Sequence, residues 1–279
     1  HRPSRIVIAM EDPNPHVKGG GIEILRSAGI TVEVGLLEKE AARLNEIFIK
    51  YSKTGMPWVT AKCAMSLDGK IATHTGHSRW ITGMTARLAT HELRHAHDAI
   101  LVGSRTVHYD RPRLTTRLMY KEGRNPVRII LDAEGILEGN RDAFQDTPDV
   151  PVWVAGKKNG DYPFADEVID LPVNASGMDM PALMASLGAR GVTSVLIEGG
   201  GETLASAFFS GVVDKLCFFV APKIIGGRDA VTPVEGKGID YMNEALHFTD
   251  LTVQTYGEDV CLEAYVTHET SGRQDAAGV

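Results

Sequence analysis

The chain has 279 residues, 43% of them hydrophobic and 23% charged, with a net charge of −7. That balance is ordinary for a globular protein of one large or two modest domains, and its acidity argues against a nucleic-acid partner, which would call for a basic patch. No apolar run reaches the length of a membrane span, so no membrane partner is expected, and the start His1-Arg2-Pro3-Ser4 does not read as a signal peptide.

In chain order, Arg5–Met10 reads as a strand and Asp12-Pro13-Asn14-Pro15 as a turn. Gly21–Ala28 suggests a short helix and Ile30–Gly35 a second strand. Glu38–Tyr51 carries Ala41, Leu44, Ile47 and Phe48 at helical spacing, and Tyr51–Pro57 reads as a linker. Trp58–Ser66 is a strand, with a tight Asp68-Gly69 turn leading into a further strand, Ile71–Thr73. Thr85–His95 is a helix and Ala99–Gly103 a buried strand, followed by an irregular basic stretch, Asp110–Asn125. Val127–Asp132, Val152–Ala155 and Ser194–Glu198 read as strands, Pro181–Ala189 and Glu202–Ser210 as helices. Leu216–Ala221, Leu246–Thr255 and Val260–Val266 close the chain as strands, before a polar tail expected to be disordered. Alternating strands and helices predict an α/β fold, with a mixed, largely parallel sheet flanked by helices. The cysteines Cys63, Cys217 and Cys261 are widely spaced, which fits reduced core thiols in a cytoplasmic protein.

Three constellations carry chemistry. The first is Ile197-Glu198-Gly199-Gly200-Gly201, where a buried strand runs through three glycines into a helix. Free amides at a helix start bind phosphate, yet spacing alone leaves a plain strand-to-helix turn equally open. Another triple glycine, Gly19-Gly20-Gly21, lacks a preceding strand and reads as a loop. The second is His91-Glu92-Leu93-Arg94-His95, which spells the H-E-x-x-H of zinc peptidases. Its usual continuation is missing, and a polar helix end is the plainer reading. The third is a basic and polar set, Lys62, Arg94 and Arg117 with Ser78 and Asp110. Guanidinium groups match phosphate bidentately, although most arginines are surface ion-pair partners.

Taken in order, Lys62–Ala72, Ser78–Thr82, Ala99–Gly103, Thr106–Thr115, Ile197–Gly200 and Ala221–Gly227 resemble the reductase domain of the bifunctional riboflavin-biosynthesis deaminase/reductase, over roughly Met56 to Val266. The resemblance implies a dihydrofolate-reductase-like fold, NADPH as cofactor and a pyrimidine ribose-phosphate substrate, 5-amino-6-(5-phosphoribosylamino)uracil, reduced to its ribitylamino product. Residues 1–55 resemble the end of that family's deaminase domain, 56–267 the reductase, and 268–279 form the tail. The deaminase zinc motifs H-x-E and P-C-x-x-C are not in this sequence, so neither deaminase activity nor a metal is expected from it.

Residue by residue, the resemblance places Ala64, Trp80, Thr82, Thr106, Asp110, Ala133 and the loop Gly200, Gly201, Glu202, Thr203, Leu204, Ala205 and Ser206 at the cofactor. It places Ser78, Arg94, Leu114, Arg117 and Glu198 at the substrate, and Lys62, Asp110 and Glu198 as catalytic groups. Which carboxylate carries a proton stays open at this level. A homodimer or homotetramer is expected. The rival readings are a zinc peptidase on His91, Glu92 and His95, and a non-catalytic scaffold.

Overall fold

The computed structural model describes residues 3–14, 17, 20–157, 159–174 and 177–267. The expected tail 268–279, Pro15 and Gly19 lie outside them. The chain divides into two compact units, one drawn from His1–Trp58 with Met184–Ser194, the other from Val59–Leu183 with Val195–Val279.

In the first unit, β1 (Arg5–Ile8) pairs in parallel with β2 (Thr31–Val34) across the helix α1 (Gly20–Ser27). The helix thus starts one residue before the expected Gly21 and takes in two of the three glycines also read as a loop. The expected single helix Glu38–Tyr51 is two, α2 (Glu38–Leu44) and α3 (Glu46–Thr54). Asn45 causes the break. Its side-chain amide donates to the Ala41 carbonyl at 2.8 Å, a local bond that competes with continued helix.

The second unit is built on a nine-stranded sheet. Its strands are β3 (Trp58–Ser66), β4 (Ala99–Gly103), β5 (Val127–Asp132), β6 (Val152–Gly156), β7 (Glu167–Asp170), β10 (Ser194–Ile197), β11 (Lys215–Ala221), β12 (Phe248–Tyr256) and β13 (Asp259–Val266). The spatial order is β12-β13-β11-β3-β10-β4-β5-β6-β7. From β10 through β7 the pairs are parallel, as is β11 with β3, while β11–β13 and β12–β13 are antiparallel. The expected mixed, largely parallel sheet is what the chain forms. Parallel strands covered on both faces need continuous apolar runs, and Ile100, Leu101, Val195, Leu196 and Ile197 are all fully buried. Its helices are α4 (Met84–Ala96), α5 (Ser104–Asp110) and α7 (Gly201–Phe209); α6 (Met180–Ala189) is divided between the two units, and β8 (Val173–Asn174) pairs antiparallel with β9 (Gly177–Met178).

Ile71–Thr73 does not form the expected strand. The Asp68 carboxylate accepts the Ile225 and Gly226 amides, at 3.1 and 2.7 Å, and the Ser66 hydroxyl at 2.6 Å. The Asp-Gly turn is thereby tied to the loop after β11 and does not return as a hairpin.

Candidate active site

Glu198 follows the end of β10, and its amide donates to the Leu101 carbonyl of β4 at 3.0 Å. Carboxyl ends of parallel strands are where open α/β sheets place ligands. The Glu198 carboxylate accepts two bonds from one arginine of α4: Arg94 Nε at 2.6 Å and Nη2 at 2.8 Å. The remaining arm of Arg94, Nη1, donates to the Thr115 carbonyl at 2.9 Å. Lys62 of β3 stands 3.9 Å from Glu198 Oε2. Burial pushes the Glu198 carboxyl up, but Arg94 and then Lys62 outweigh it and hold the group below its usual range. Glu198 is thus an anion locked in a cationic setting.

Positive charge accumulates beside it. Arg117 Nη1 donates to Thr115 Oγ1 at 2.7 Å, and its amide donates to His91 Nδ1 at 3.3 Å. Burial, then Arg94 and Arg113, lower the Arg117 pKa. Burial, then Arg94 and Arg117, push His91 down to about 4. Neighbours that destabilise one another's charge in this way would be relieved by an anion.

The H-E-x-x-H segment is used differently from a zinc helix. His91 Nδ1 receives the Arg117 amide, and His95 Nδ1 the Arg124 amide at 2.9 Å. Glu92 faces Lys121 at 3.5 Å. Among the described residues, the only group of metal-type ligands within 4.8 Å of one another is Cys217, Cys261 and Glu263. The peptidase reading is not supported.

The glycine loop fits a phosphate-bearing cofactor. Gly199 has φ +144° and Gly200 φ +69°, a region that favours glycine. Gly200 precedes α7 with no side-chain cap, so no capping side chain claims the first amides of the helix. A Cβ at Gly200 would sit 3.4 Å from Thr106 Oγ1 and 3.5 Å from Thr203 Oγ1, so three expected cofactor residues converge here. At Gly201 a Cβ would meet the Thr232 carbonyl oxygen at 2.5 Å. Glu202 is exposed and Ser206 half-buried, but Leu204 and Ala205 point into the core and can offer only backbone.

The other expected residues are dispersed. Ser78 and Asp110 line a different cleft of about 400 Å³ with Gly76, Arg79 and Tyr109. Burial raises the Asp110 pKa against the opposing charge of Arg79. Trp80 is exposed, with the Arg87 guanidinium 4.2 Å from its ring centre, whereas Thr82 is buried. Ala64 packs with Ala86, Cys217, Phe219 and Cys261, and Ala133 is half-buried after β5. Leu114 has φ +53° and a side chain buried with Ile100, Val102 and Val107, so its backbone is what it can present. Sequence reasoning missed Thr115, whose carbonyl and hydroxyl each accept from an arginine, and His91 as a backbone acceptor. No pattern in the chain marks a carbonyl as an arginine partner.

The family model of the RibD C-terminal domain matches residues 57–262. The chain belongs to this riboflavin-biosynthesis family. Riboflavin biosynthesis protein RibD of Bacillus amyloliquefaciens is 38% identical over 265 residues, covering 93% of this chain and 71% of that protein. The chloroplastic PYRR protein of Arabidopsis thaliana is 34% identical, covering 94% of this chain and 45% of that one. Among solved structures, the diaminohydroxyphosphoribosylaminopyrimidine deaminase/5-amino-6-(5-phosphoribosylamino)uracil reductase of Thermotoga maritima superposes with a TM-score of 0.81 at 34% identity, over 94% of this chain and 71% of that one. RibD of Acinetobacter baumannii gives 0.80 at 32% identity, over 95% and 73%.

Proposed function

We infer that this chain is the reductase of riboflavin biosynthesis that converts 5-amino-6-(5-phosphoribosylamino)uracil to its ribitylamino product, using NADPH. Its membership of the RibD reductase family supports the reaction. The observation that carries the reading of the site is the buried Lys62–Glu198–Arg94 cluster, which ends on the strand that runs into the glycine loop.

The first amides of α7, with Thr106 and Thr203, are the groups we assign to the pyrophosphate of NADPH. When bound, NADPH supplies the hydride that reduces the first carbon of the opened sugar. Arg117 binds the ribose phosphate, with Arg94 adding charge through the N–H groups that Glu198 and Thr115 leave free; the role of Ser78 as a neutral donor, from the other cleft it lines, rests on the family resemblance alone. Lys62 hydrogen-bonds the substrate and stabilises charge as the sugar ring opens. Glu198, held as an anion, accepts hydrogen bonds and orients Lys62 and Arg94. Asp110, whose carboxyl is pushed upward, is the carboxyl group we assign to proton transfer.

We assign residues 1–55 to the closing part of a deaminase-type domain and 56–267 to the reductase, in keeping with a family match that starts at residue 57. A homodimer or homotetramer is part of the same reading. Its support is the edge strand β12, where Leu251 is 63% and Val253 60% exposed, since native edges of this kind are usually covered. Light scattering measures the assembly.

The deciding experiment is spectrophotometric NADPH oxidation with the deaminated pyrimidine as substrate. Turnover that needs both components is expected. A folded protein that binds NADPH but never oxidises it would leave the scaffold reading standing.

A further inference from the structure

We propose that Cys217, Cys261 and Glu263 form a binding site for one soft divalent cation of the zinc and cadmium class. The strand register builds the site. β11 pairs Cys217 with Glu263 and Phe219 with Cys261, so the two cysteines are diagonal neighbours on one face of the sheet. Their sulfurs lie 3.3 Å apart, and Cys217 Sγ is 3.9 Å from Glu263 Oε1. The three ligand atoms fall within 4.8 Å of one another.

These distances suit a cation between the sulfurs. Zinc–sulfur bonds of about 2.3 Å at a tetrahedral angle place two sulfurs about 3.8 Å apart, so the pair needs to open by only about half an ångström. A disulfide would need the sulfurs to close to about 2.0 Å. Glu263 can supply the third ligand because its two oxygens face different ways. Oε1 approaches the cysteine, while Oε2 pairs with Lys215 Nζ at 3.3 Å.

Charge and access point the same way. Two thiolates and a carboxylate make a trianionic donor set, which a divalent cation largely neutralises. Lys215 on Glu263 and Lys62, the partner of Cys217 across β3, offset the remainder. Cys217 and Glu263 line a cavity of about 370 Å³ between α4 and β11–β13, which leaves room for a fourth ligand such as water. Glu92 lines the same cavity, and its buried Oε1 has no hydrogen-bond partner among the described residues. An unpaired carboxylate oxygen there adds to the attraction for a cation. Thiolate ligands select zinc and cadmium over magnesium and calcium. The reductase chemistry uses none of these three ligands.

The test is a cobalt titration of the reduced, desalted chain, followed in the visible and near ultraviolet. One equivalent should bind with a thiolate-to-cobalt charge-transfer band and tetrahedral visible bands, and zinc or cadmium should displace it. Cys217→Ser and Cys261→Ser should each abolish the band. Cys63→Ser should keep it, because Cys63 lies on the opposite face of β3. Glu263→Gln should keep it with affinity lowered about tenfold. X-ray absorption of the zinc-loaded unmodified chain needs no variant to fold, and should show two sulfur neighbours at about 2.3 Å. A chain that gives no charge-transfer band, a band that survives both serine variants, or a zinc spectrum without two sulfurs would overturn the proposal.

Discussion

At the scale of single residues, Glu198 decides what its neighbours can do. Its side chain is 7% exposed and that of Arg94 12%, so the bidentate pair is deprived of water. Removing one partner of such a pair leaves a buried charge and costs about 3–5 kcal/mol, whereas replacing both with apolar groups is often nearly neutral. Arg94→Ala is therefore expected to lower the urea midpoint sharply, and Arg94→Met with Glu198→Met to recover most of it while staying inactive. If the single and double variants are equally stable, the pair is not energetically coupled. Arg117 is the cleaner probe of the phosphate, since its named side-chain bond is to a neutral hydroxyl. A hydrogen bond to a charged group is worth about 1.5–3 kcal/mol, so Arg117→Ala should weaken substrate binding about tenfold or more and leave NADPH binding unchanged. Paired titrations check this, and loss of NADPH affinity instead would mean the two phosphate sites have been exchanged. Residue types were legible here: an arginine inside H-E-x-x-H and a glutamate before three glycines stand out in the sequence. Their mutual bond was not, because 104 positions separate them and only the fold brings α4 over the end of β10.

At the scale of elements, the start of α7 shows how packing constrains a binding loop. Gly201 has an ordinary φ, so its need for glycine does not come from backbone strain. It comes from the loop above it: the Glu235 amide donates to the Gly201 carbonyl at 3.1 Å, and the Thr232 carbonyl oxygen occupies the space of a Cβ. A backbone oxygen cannot swing aside, so Gly201→Ala must shift the loop or the helix start, at a cost of about 1–3 kcal/mol. NADPH affinity should fall severalfold or more. Gly20→Ala, where nothing lies within 4 Å, should leave it unchanged. Parental NADPH affinity in a folded Gly201→Ala chain would reduce the loop to a turn. The strand–glycine–helix succession could be read from sequence because its glycines are contiguous. Helix α5 could not, since Ser104–Asp110 follows β4 without a linker and its seven residues are too few to show a helical repeat. Nor could β7, a four-residue strand with only Ile169 fully buried, which offers too short an alternation to recognise.

At the scale of the molecule, the insertion of β3 (ending at Ser66) between β11 and β10 (starting at Ser194) joins segments far apart in the chain, and no local pattern announces such pairing. One global consequence is a dependence of stability on acid. His91 is held at about 4 in the folded chain, first by burial and then by Arg94 and Arg117, and burial also lowers His97. An unfolded histidine titrates near 6.5. Between those values the unfolded chain binds more protons than the folded one, so the free energy of unfolding falls as the pH drops from about 6.5 towards about 4. Carboxylates add a second stage. Glu198 is depressed below the usual carboxylate range and Asp68 is held at about 2, so the stability they contribute is present above their unfolded values and is lost as the pH falls through their folded ones. Urea unfolding at pH 7, 5.5 and 4.5 should show a steady loss that begins well above the carboxylate range. His91→Gln keeps a side-chain acceptor for the Arg117 amide but cannot take up a proton, so it should flatten the slope between pH 7 and 5 while leaving the steeper loss below it. A variant with the parental slope across that interval would show that His91 protonates as freely folded as unfolded, and that the arginines around it do not act as the concentrated positive field a phosphate ligand requires.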